Sequence, residues 1–196
     1  MRRSAATIAT CLFLALTAVP AGAATKTVQV VDFAFSPTTL RSAQGGTVRW
    51  QNTGVRSHTA TQDAPLALFS TGNIAPGATS AGTVLNAAGI YPYHCAIHPG
   101  MVGSIKVPVK VAPATGTTAT TFKVTLATQV APTGFVYDVQ QKVGDGPWAA
   151  WRTGVTTATV TFQTSSPGTY AFRSALRKVS TGAKSRPSPA GSVTVS

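Results

Sequence analysis

The sequence predicts an all-β protein composed of two successive β-sandwiches. Short runs rich in β-branched and aromatic residues alternate with Gly, Pro and Asn turn residues along most of the chain. These runs lack the 3.6-residue apolar period of an amphipathic helix, and many short strands at regular spacing are typical of sandwiches. At 196 residues the chain is also longer than one small sandwich requires.

The first 24 residues predict a signal peptide. Arg2 and Arg3 form a short positive region, which is followed by the apolar run Ala6–Val19. This run is too short to span a bilayer, and the small residues Ala21-Gly22-Ala23 come soon after it. Cleavage after this triplet would place the mature protein on the cell-envelope side, either secreted (extracellular) or periplasmic.

The first domain is expected over residues 25–111. Val48, Trp50 and Asn52 alternate with polar residues, which predicts a strand with these three side chains on one face. One short helical turn is expected within Ala64–Asn73. The predicted strands are Thr27–Phe35, Thr47–Asn52, Ser80–Leu85, Gly89–Cys95 and Gly103–Val111.

The stretch 112–119 is rich in Ala, Thr, Pro and Gly, and it predicts a linker. A second domain is expected over residues 120–196, in which Gly144-Asp145-Gly146 is typical of a hairpin turn. Its predicted strands are Phe122–Leu126, Phe135–Val143, Thr157–Phe162, Thr169–Arg177 and Ser192–Val195.

The chain is strongly basic, with 16 Lys and Arg against four acidic residues, all of them Asp. Without the leader its net charge is about +10, which favours acidic partners or anionic surfaces. The basic residues are scattered and form no basic helix or aromatic-basic ladder, so nucleic-acid binding is not predicted. No run after the leader is long and apolar enough to predict a membrane span.

Beyond the leader the chain keeps one Cys and one Met. Met1 and Cys11 leave with the signal peptide, which leaves Cys95 and Met101. A single thiol cannot form an internal disulfide. In an exported protein it therefore indicates burial, intermolecular pairing or metal binding.

The segment around Cys95 carries several metal donors at close spacing. His98 follows Cys95 by three residues and Met101 follows His98 by three, with a Pro99-Gly100 turn between them. Such a turn lets all three side chains gather around one point. Thiolate, imidazole and thioether together suit copper that cycles between Cu(I) and Cu(II), and two His, one Cys and a distant Met form an electron-transfer arrangement.

The second imidazole has to come from elsewhere in the chain. His58 follows the strand that ends at Asn52, and it is the only other His outside the Cys95 segment. His94 adjoins Cys95, and neighbouring strand residues face opposite sides, so His94 reaches the same metal only if the strand bulges. We therefore expect His58 to be the ligand and His94 to be structural or on the surface.

Three motifs surround these donors: G-I-Y-P-Y-H-C-A-I-H-P-G-M-V-G-S-I-K-V, W-Q-N-T-G-V-R-S-H-T-A-T and F-S-T-G-N-I-A-P-G. They resemble the cupredoxin family, in particular its amicyanin- and plastocyanin-like type 1 blue copper domains, over residues 25–111. The resemblance implies a Greek-key sandwich with one copper ion bound by His58, Cys95, His98 and Met101. It also implies that Asn52 ties the His58 loop to the Cys95 loop.

The resemblance implies a carrier of single electrons between redox protein partners. Four protein ligands leave no open position for a substrate, so the chain is not expected to be an enzyme. In such proteins an edge of the loop His reaches an apolar surface, and here Ile97, Pro99, Gly100 and Val102 would surround His98. Two alternatives stay open: an extracellular copper-binding protein for sequestration or delivery, and a surface interaction module on a cupredoxin scaffold.

The motifs F-V-Y-D-V-Q-Q-K-V and G-T-Y-A-F-R-S-A-L-R-K of the second half resemble a fibronectin type III module, an immunoglobulin-like β-sandwich. Residues 120–196 contain no His, Cys or Met, so no redox or metal chemistry is predicted there. Trp148 and Trp151 form either a binding patch or part of the packing. This half is expected to be a spacer or docking module that places the copper domain near a partner or the cell surface, and its basic excess is compatible with contact to an anionic cell surface.

Overall fold

The computed structural model describes residues 24–196, so all but the last residue of the predicted signal peptide lies outside the described residues. The prediction of an all-β protein is confirmed. Residues 24–196 form sixteen strands arranged as two successive β-sandwiches. Within this range no helix suited to crossing a membrane is found.

The first sandwich consists of two four-stranded sheets with the strand orders β2-β1-β4-β6 and β3-β8-β7-β5. Strand β1 pairs parallel with β4, whereas β7 pairs antiparallel with β8. The strands are β1 (Thr25–Val31), β2 (Ala34–Ser36), β3 (Thr39–Arg41), β4 (Gly46–Asn52), β5 (Thr61–Gln62), β6 (Thr83–Leu85), β7 (Gly89–His94) and β8 (Val102–Val107).

The inward faces of β4 and β7 form the centre of the first core. Trp50 and Asn52 of β4 are fully buried, as the alternation predicts. Tyr91 and Tyr93 point inward from β7, and the rings of Trp50 and Tyr93 meet edge to face at 5.4 Å. Because side chains alternate along a strand, this register also directs Cys95 inward, just beyond the end of β7.

Two predictions for the first half are wrong. Thr27–Phe35 is not one strand, because a turn at Asp32-Phe33 folds it into the β1–β2 hairpin. Phe33 adopts a positive φ of 68° there, which no propensity of Phe predicts. The stretch Ala64–Asn73 contains a turn but no helix.

The second sandwich pairs a five-stranded sheet of order β10-β16-β15-β12-β13 with a three-stranded sheet of order β14-β11-β9. Val143 accepts a hydrogen bond from the Gly146 amide (3.0 Å) in the turn between the antiparallel strands β12 and β13, which confirms the predicted hairpin. The fibronectin type III resemblance stays a prediction. The strands are β9 (Lys110–Ala112), β10 (Thr115–Gly116), β11 (Phe122–Thr125), β12 (Phe135–Val143), β13 (Ala149–Val155), β14 (Thr159–Phe162), β15 (Gly168–Lys178) and β16 (Gly191–Val195).

The segment 112–119, predicted as a linker, is instead part of the second sandwich. Strand β8 ends at Val107, before Pro108, which has no N–H to continue a ladder. Strand β9 pairs with β11, β10 pairs with β16, and Val109 already packs in the second core. The sheets of the first sandwich therefore end before residue 111, the predicted limit of the first domain.

Backbone hydrogen bonds join the two sandwiches near the start of β7. The Ala88 amide donates to the Leu126 carbonyl (2.8 Å), and the Ile90 amide donates to the Arg186 carbonyl (3.0 Å). The side-chain amide of Gln44 donates to the carbonyls of Pro108 and Thr125. Strand β7 therefore begins against the second sandwich and extends away from it toward Cys95.

Candidate metal centre

The loop after β7 folds back on itself and places three of the predicted donors together. The Cys95 amide donates to the Met101 carbonyl (2.9 Å), and the Met101 amide donates to the His98 carbonyl (3.3 Å). Gly100 has a φ of 83°, a conformation that glycine adopts without steric cost. The Pro99-Gly100 turn thus brings Met101 back beside the strand that delivers Cys95.

His58 reaches the same place from the segment between β4 and β5. Its backbone pairs with Ile74 through two hydrogen bonds, of 3.1 Å from the His58 amide and 2.7 Å from the Ile74 amide. The side chain is fully buried. This pairing fixes the imidazole in the core instead of leaving it on a free loop.

The His58, Cys95 and His98 side chains form a compact triangle of donor atoms. The two Nδ1 atoms lie 3.1 Å apart, and the Cys95 Sγ lies 3.7 Å from the His58 Nδ1 and 3.6 Å from the His98 Nδ1. A point equidistant from three atoms at these separations is about 2 Å from each of them, which is close to the length of a metal–imidazole bond. The triangle is therefore of the right size to enclose one metal ion.

Burial differs among the predicted ligands. Cys95 and Met101 are each 2% exposed and belong to one core cluster, and His58 is fully buried. His98 is only partly buried, so it is the member of the set that reaches the surface. Met101 packs near Cys95, and its role as a ligand stays a prediction.

His94 stands apart from this cluster, as the alternation of β7 predicts. Its Nδ1 lies 2.6 Å from an Asp63 carboxylate oxygen, and its side chain is 43% exposed. It faces away from Cys95 and forms a surface ion pair when it is protonated.

Asn52 does not make the predicted tie to the Cys95 loop. Its side-chain amide donates to the carbonyls of Arg56 (2.7 Å) and Ile74 (2.8 Å), and its side-chain oxygen accepts from the Gly54 amide (3.0 Å). These bonds brace the His58 loop from within. The family-based prediction for Asn52 is therefore corrected: it positions the histidine loop alone.

Thr59 makes the connection that was expected of Asn52. The Thr59 amide points at the Cys95 Sγ at 3.4 Å, and the Thr59 hydroxyl accepts a hydrogen bond from the Ala96 amide at 2.7 Å. A backbone N–H donated to a metal-bound thiolate withdraws electron density from the sulfur. Sequence reasoning missed Thr59, although its position directly after His58 was a usable signal.

Asp32, at the β1–β2 turn, lies behind the buried imidazole. One of its carboxylate oxygens accepts from the amides of Val55 (3.0 Å) and Arg56 (3.1 Å) and lies 3.5 Å from the His58 Nε2. Desolvation raises the pKa of Asp32, but the two amides and His58 lower it by more, so the net shift is downward. An ionised Asp32 favours the tautomer of His58 that keeps its proton on Nε2 and leaves Nδ1 free for a metal.

Phe33, the next residue, lies against the other imidazole. Its ring meets that of His98 edge to face at 5.1 Å while remaining 62% exposed. Ile97 and Val102, close to His98 in sequence, are also exposed apolar side chains, with exposed fractions of 48% and 57%. Val55, in the loop that leads to His58, is 77% exposed. The predicted apolar surroundings of His98 thus include a residue, Phe33, that sequence reasoning did not assign to them.

Comparisons with known proteins find similar solved structures. No protein-family profile matches the chain, and no curated protein matches it. A purple cupredoxin from Nitrosopumilus maritimus is 24% identical, covers 41% of this chain and 97% of its own, and has a TM-score of 0.39. A reduced Cu(I) form of an amicyanin mutant is 25% identical over 45% of this chain and 85% of its own, with a TM-score of 0.40. An oxidised amicyanin mutant is 27% identical, covers 44% of this chain and 82% of its own, and has a TM-score of 0.39.

The chemistry of the donor set fits copper. One thiol and two imidazoles converge, and a thioether lies in the same core cluster. These are soft and borderline ligands, which suit copper in both of its common oxidation states and suit Mg²⁺ or Ca²⁺ poorly. No carboxylate belongs to the cluster found within residues 24–196, which also separates it from oxygen-rich sites.

Proposed function

We propose that this protein carries single electrons and does so with one copper ion bound by His58, Cys95, His98 and Met101. The observation that supports this most directly is the triangle of two Nδ1 atoms and one Sγ, with sides of 3.1, 3.6 and 3.7 Å. A copper ion in this triangle supplies a one-electron couple between Cu(I) and Cu(II).

The chain's own residues keep the donor atoms in place during electron transfer. His58 is fixed by its backbone pairing with Ile74, and Cys95 by its bond to the Met101 carbonyl. The Thr59 amide donates to the Cys95 sulfur, and the buried surroundings of Cys95 exclude water from it. A site that is already organised needs little rearrangement when its charge changes, and small rearrangement favours fast electron exchange.

The partly exposed His98 provides the route to a partner. It is the only member of the triangle that is not fully enclosed, and Phe33 and Ile97 surround it with apolar surface. A redox protein docking there would bring its own centre close to the imidazole without entering the core. The basic charge of the chain favours acidic partners, and export through the predicted signal peptide would place this exchange on the cell-envelope side.

Sequestration or delivery of copper is supported less well. A protein that hands copper on benefits from exposed, exchangeable donors, whereas His58, Cys95 and Met101 are each at most 2% exposed. Enzyme activity is also not proposed, because four side-chain donors leave no open coordination position for a substrate.

The test is to add Cu(II) to the purified chain, record visible absorption and measure the reduction potential. We expect an intense blue thiolate-to-copper band and reversible one-electron cycling. Cys95→Ser should abolish the band, whereas the matched control His94→Ala should retain it, because His94 faces Asp63 and not the triangle. Tight Cu(I) binding without reversible cycling would favour sequestration, and an intact band in Cys95→Ser would refute the proposed site.

A further inference from the structure

A groove of about 330 Å³ crosses the outer face of the five-stranded sheet in the second sandwich, far along the chain from the metal triangle. Tyr137, Val139, Phe172 and Leu176 point into the second core from β12 and β15. Their strand neighbours therefore point outward. The groove is lined by side chains from β12, β13, β15 and the following loop, namely Asp138, Gln140, Ala150, Thr153, Arg173, Ala175, Lys184 and Pro187.

The groove exists because small and long side chains alternate across the sheet. Ala150 and Ala175 form its floor, and the register places Gln140 beside both Ala150 and Arg173. The longer side chains rise around the alanines and form the walls. The volume lies at the lower end of the range of small-ligand pockets.

Arg173 is held in place on one wall with most of its hydrogen-bonding capacity unused. Its guanidinium carbon lies 4.3 Å from the centre of the Trp148 ring, and its Nε donates to the Gln140 side-chain oxygen at 2.7 Å. Within residues 24–196 it has no acidic partner, and its two Nη groups donate to no protein acceptor. A guanidinium that is positioned in advance with free N–H pairs is suited to a carboxylate, which it can bind in a bidentate manner.

Asp138, the only acid in the groove, is already neutralised. It accepts hydrogen bonds from Arg177 (2.8 Å), Lys184 (2.7 Å) and the Gly154 amide (3.0 Å). Burial raises the pKa of Asp138, but these donors outweigh burial and lower it to about 2. Because two cations share this one carboxylate and Arg173 is unpaired, the groove and its edge carry an excess of positive charge.

We propose that this groove binds the carboxylate-bearing sugars of an acidic polysaccharide. Arg173 would bind the carboxylate, and the Gln140 and Thr153 side chains would meet ring hydroxyls. The alanine floor would accommodate the flat face of a pyranose ring. A concave site with amide and hydroxyl groups is less suited to a phospholipid bilayer, which is met by flat basic surfaces and inserted apolar side chains.

The test measures binding of the whole protein to tri-galacturonate by calorimetry at low salt, with the neutral galactose trimer as the reference ligand. We expect binding of tri-galacturonate only. Arg173→Gln should weaken it at least tenfold. Ala150→Phe should weaken it to a similar degree because Ala150 is exposed, so the larger side chain can be accommodated while filling the groove.

The matched control is Lys123→Gln, which removes the same charge from an exposed position on β11 of the other sheet. It should leave binding unchanged. Equal losses in Lys123→Gln and Arg173→Gln would show attraction to diffuse charge and overturn the proposal. So would the absence of tri-galacturonate binding, or binding to anionic phospholipid vesicles that Ala150→Phe does not affect. Thermal unfolding of each variant shows whether it is folded. If Arg173→Gln does not fold, Ala150→Phe still tests the groove independently.

Discussion

Two consecutive residues of the β1–β2 turn, Asp32 and Phe33, contact the two imidazoles of the proposed copper site. The Asp32 carboxylate lies 3.5 Å from the Nε2 of His58, and the Phe33 ring packs edge to face on His98. The Asp32 contact is at the ring nitrogen of His58 that faces away from the donor triangle, and the Phe33 contact is with the ring of His98. The β1–β2 turn therefore contacts both histidines although it contributes no ligand.

The charge of Asp32 should affect the reduction potential. Oxidation adds one positive charge at the metal, and a nearby carboxylate stabilises that state. Asp32→Asn removes the charge but keeps an oxygen that can accept from Val55 and Arg56. We expect the potential measured by voltammetry to rise while the blue absorption band is retained.

Asp63→Asn is the matched control for this prediction. Asp63 carries the same charge on the same domain but pairs with His94, outside the triangle. Its replacement should shift the potential less than Asp32→Asn does. Equal shifts in the two variants would mean that the potential responds to net charge and not to the Asp32–His58 contact.

The candidate ligands could be predicted from the sequence because their signal is local or sparse. Cys95, His98 and Met101 lie within seven residues, and His58 was nearly the only imidazole left to complete the set. Of the supporting residues, only Thr59 carries a local signal, its position directly after His58, and that signal does not indicate a contact with Cys95. Asp32 is 26 residues from His58 and Thr59 is 36 from Cys95, so their roles depend on how distant strands approach each other.

At the scale of the strands, the same limit explains which boundaries were wrong. Thr27–Phe35 has the composition of one continuous strand, and only the positive φ of Phe33 reveals the turn. Residues 112–119 have the composition of a linker, yet β10 pairs with β16 nearly eighty residues later in the chain. The composition of a segment indicates which secondary structure it can adopt. Whether it forms a paired strand depends on another strand that lies elsewhere in the sequence.

The β1–β2 turn also provides a test of the docking surface. Phe33→Gly suits the backbone, because glycine adopts a φ of 68° freely, and it removes an exposed ring from beside His98. We expect roughly tenfold slower electron self-exchange between oxidised and reduced copies, as truncating an aromatic contact at an interface commonly costs. Nuclear magnetic resonance line broadening in mixtures of the two forms measures this rate without any partner being known.

Val84→Ala is the control for this variant. Val84 is similarly exposed, at 52%, but lies on β6 near the second sandwich. It should leave self-exchange unchanged. Unchanged exchange in Phe33→Gly, with copper still bound, would place the route for electrons elsewhere on the molecule.

At the scale of the whole molecule, the two sandwiches separate the proposed tasks. Strand β7 begins beside the second sandwich, where the Ile90 amide bonds to the Arg186 carbonyl, and ends next to Cys95. Because each residue of a strand spans about 3.3 Å, Cys95 lies roughly 16 Å from that contact. Binding of an anionic polymer in the groove of the second sandwich is therefore compatible with docking of a redox partner at His98.

The net positive charge makes a final prediction about the dependence on salt. Two copies of this protein repel each other, whereas an acidic redox partner is attracted, and salt screens both effects. Raising the ionic strength from about 0.01 M to 0.2 M should therefore speed electron self-exchange and slow electron transfer to an acidic redox protein. Self-exchange that slows with salt would contradict this, because it would mean that oppositely charged groups around His98 dominate the encounter. Stopped-flow measurements with the acidic protein and line broadening for self-exchange each give a slope of rate against ionic strength. Only slopes of opposite sign are consistent with steering by the overall charge.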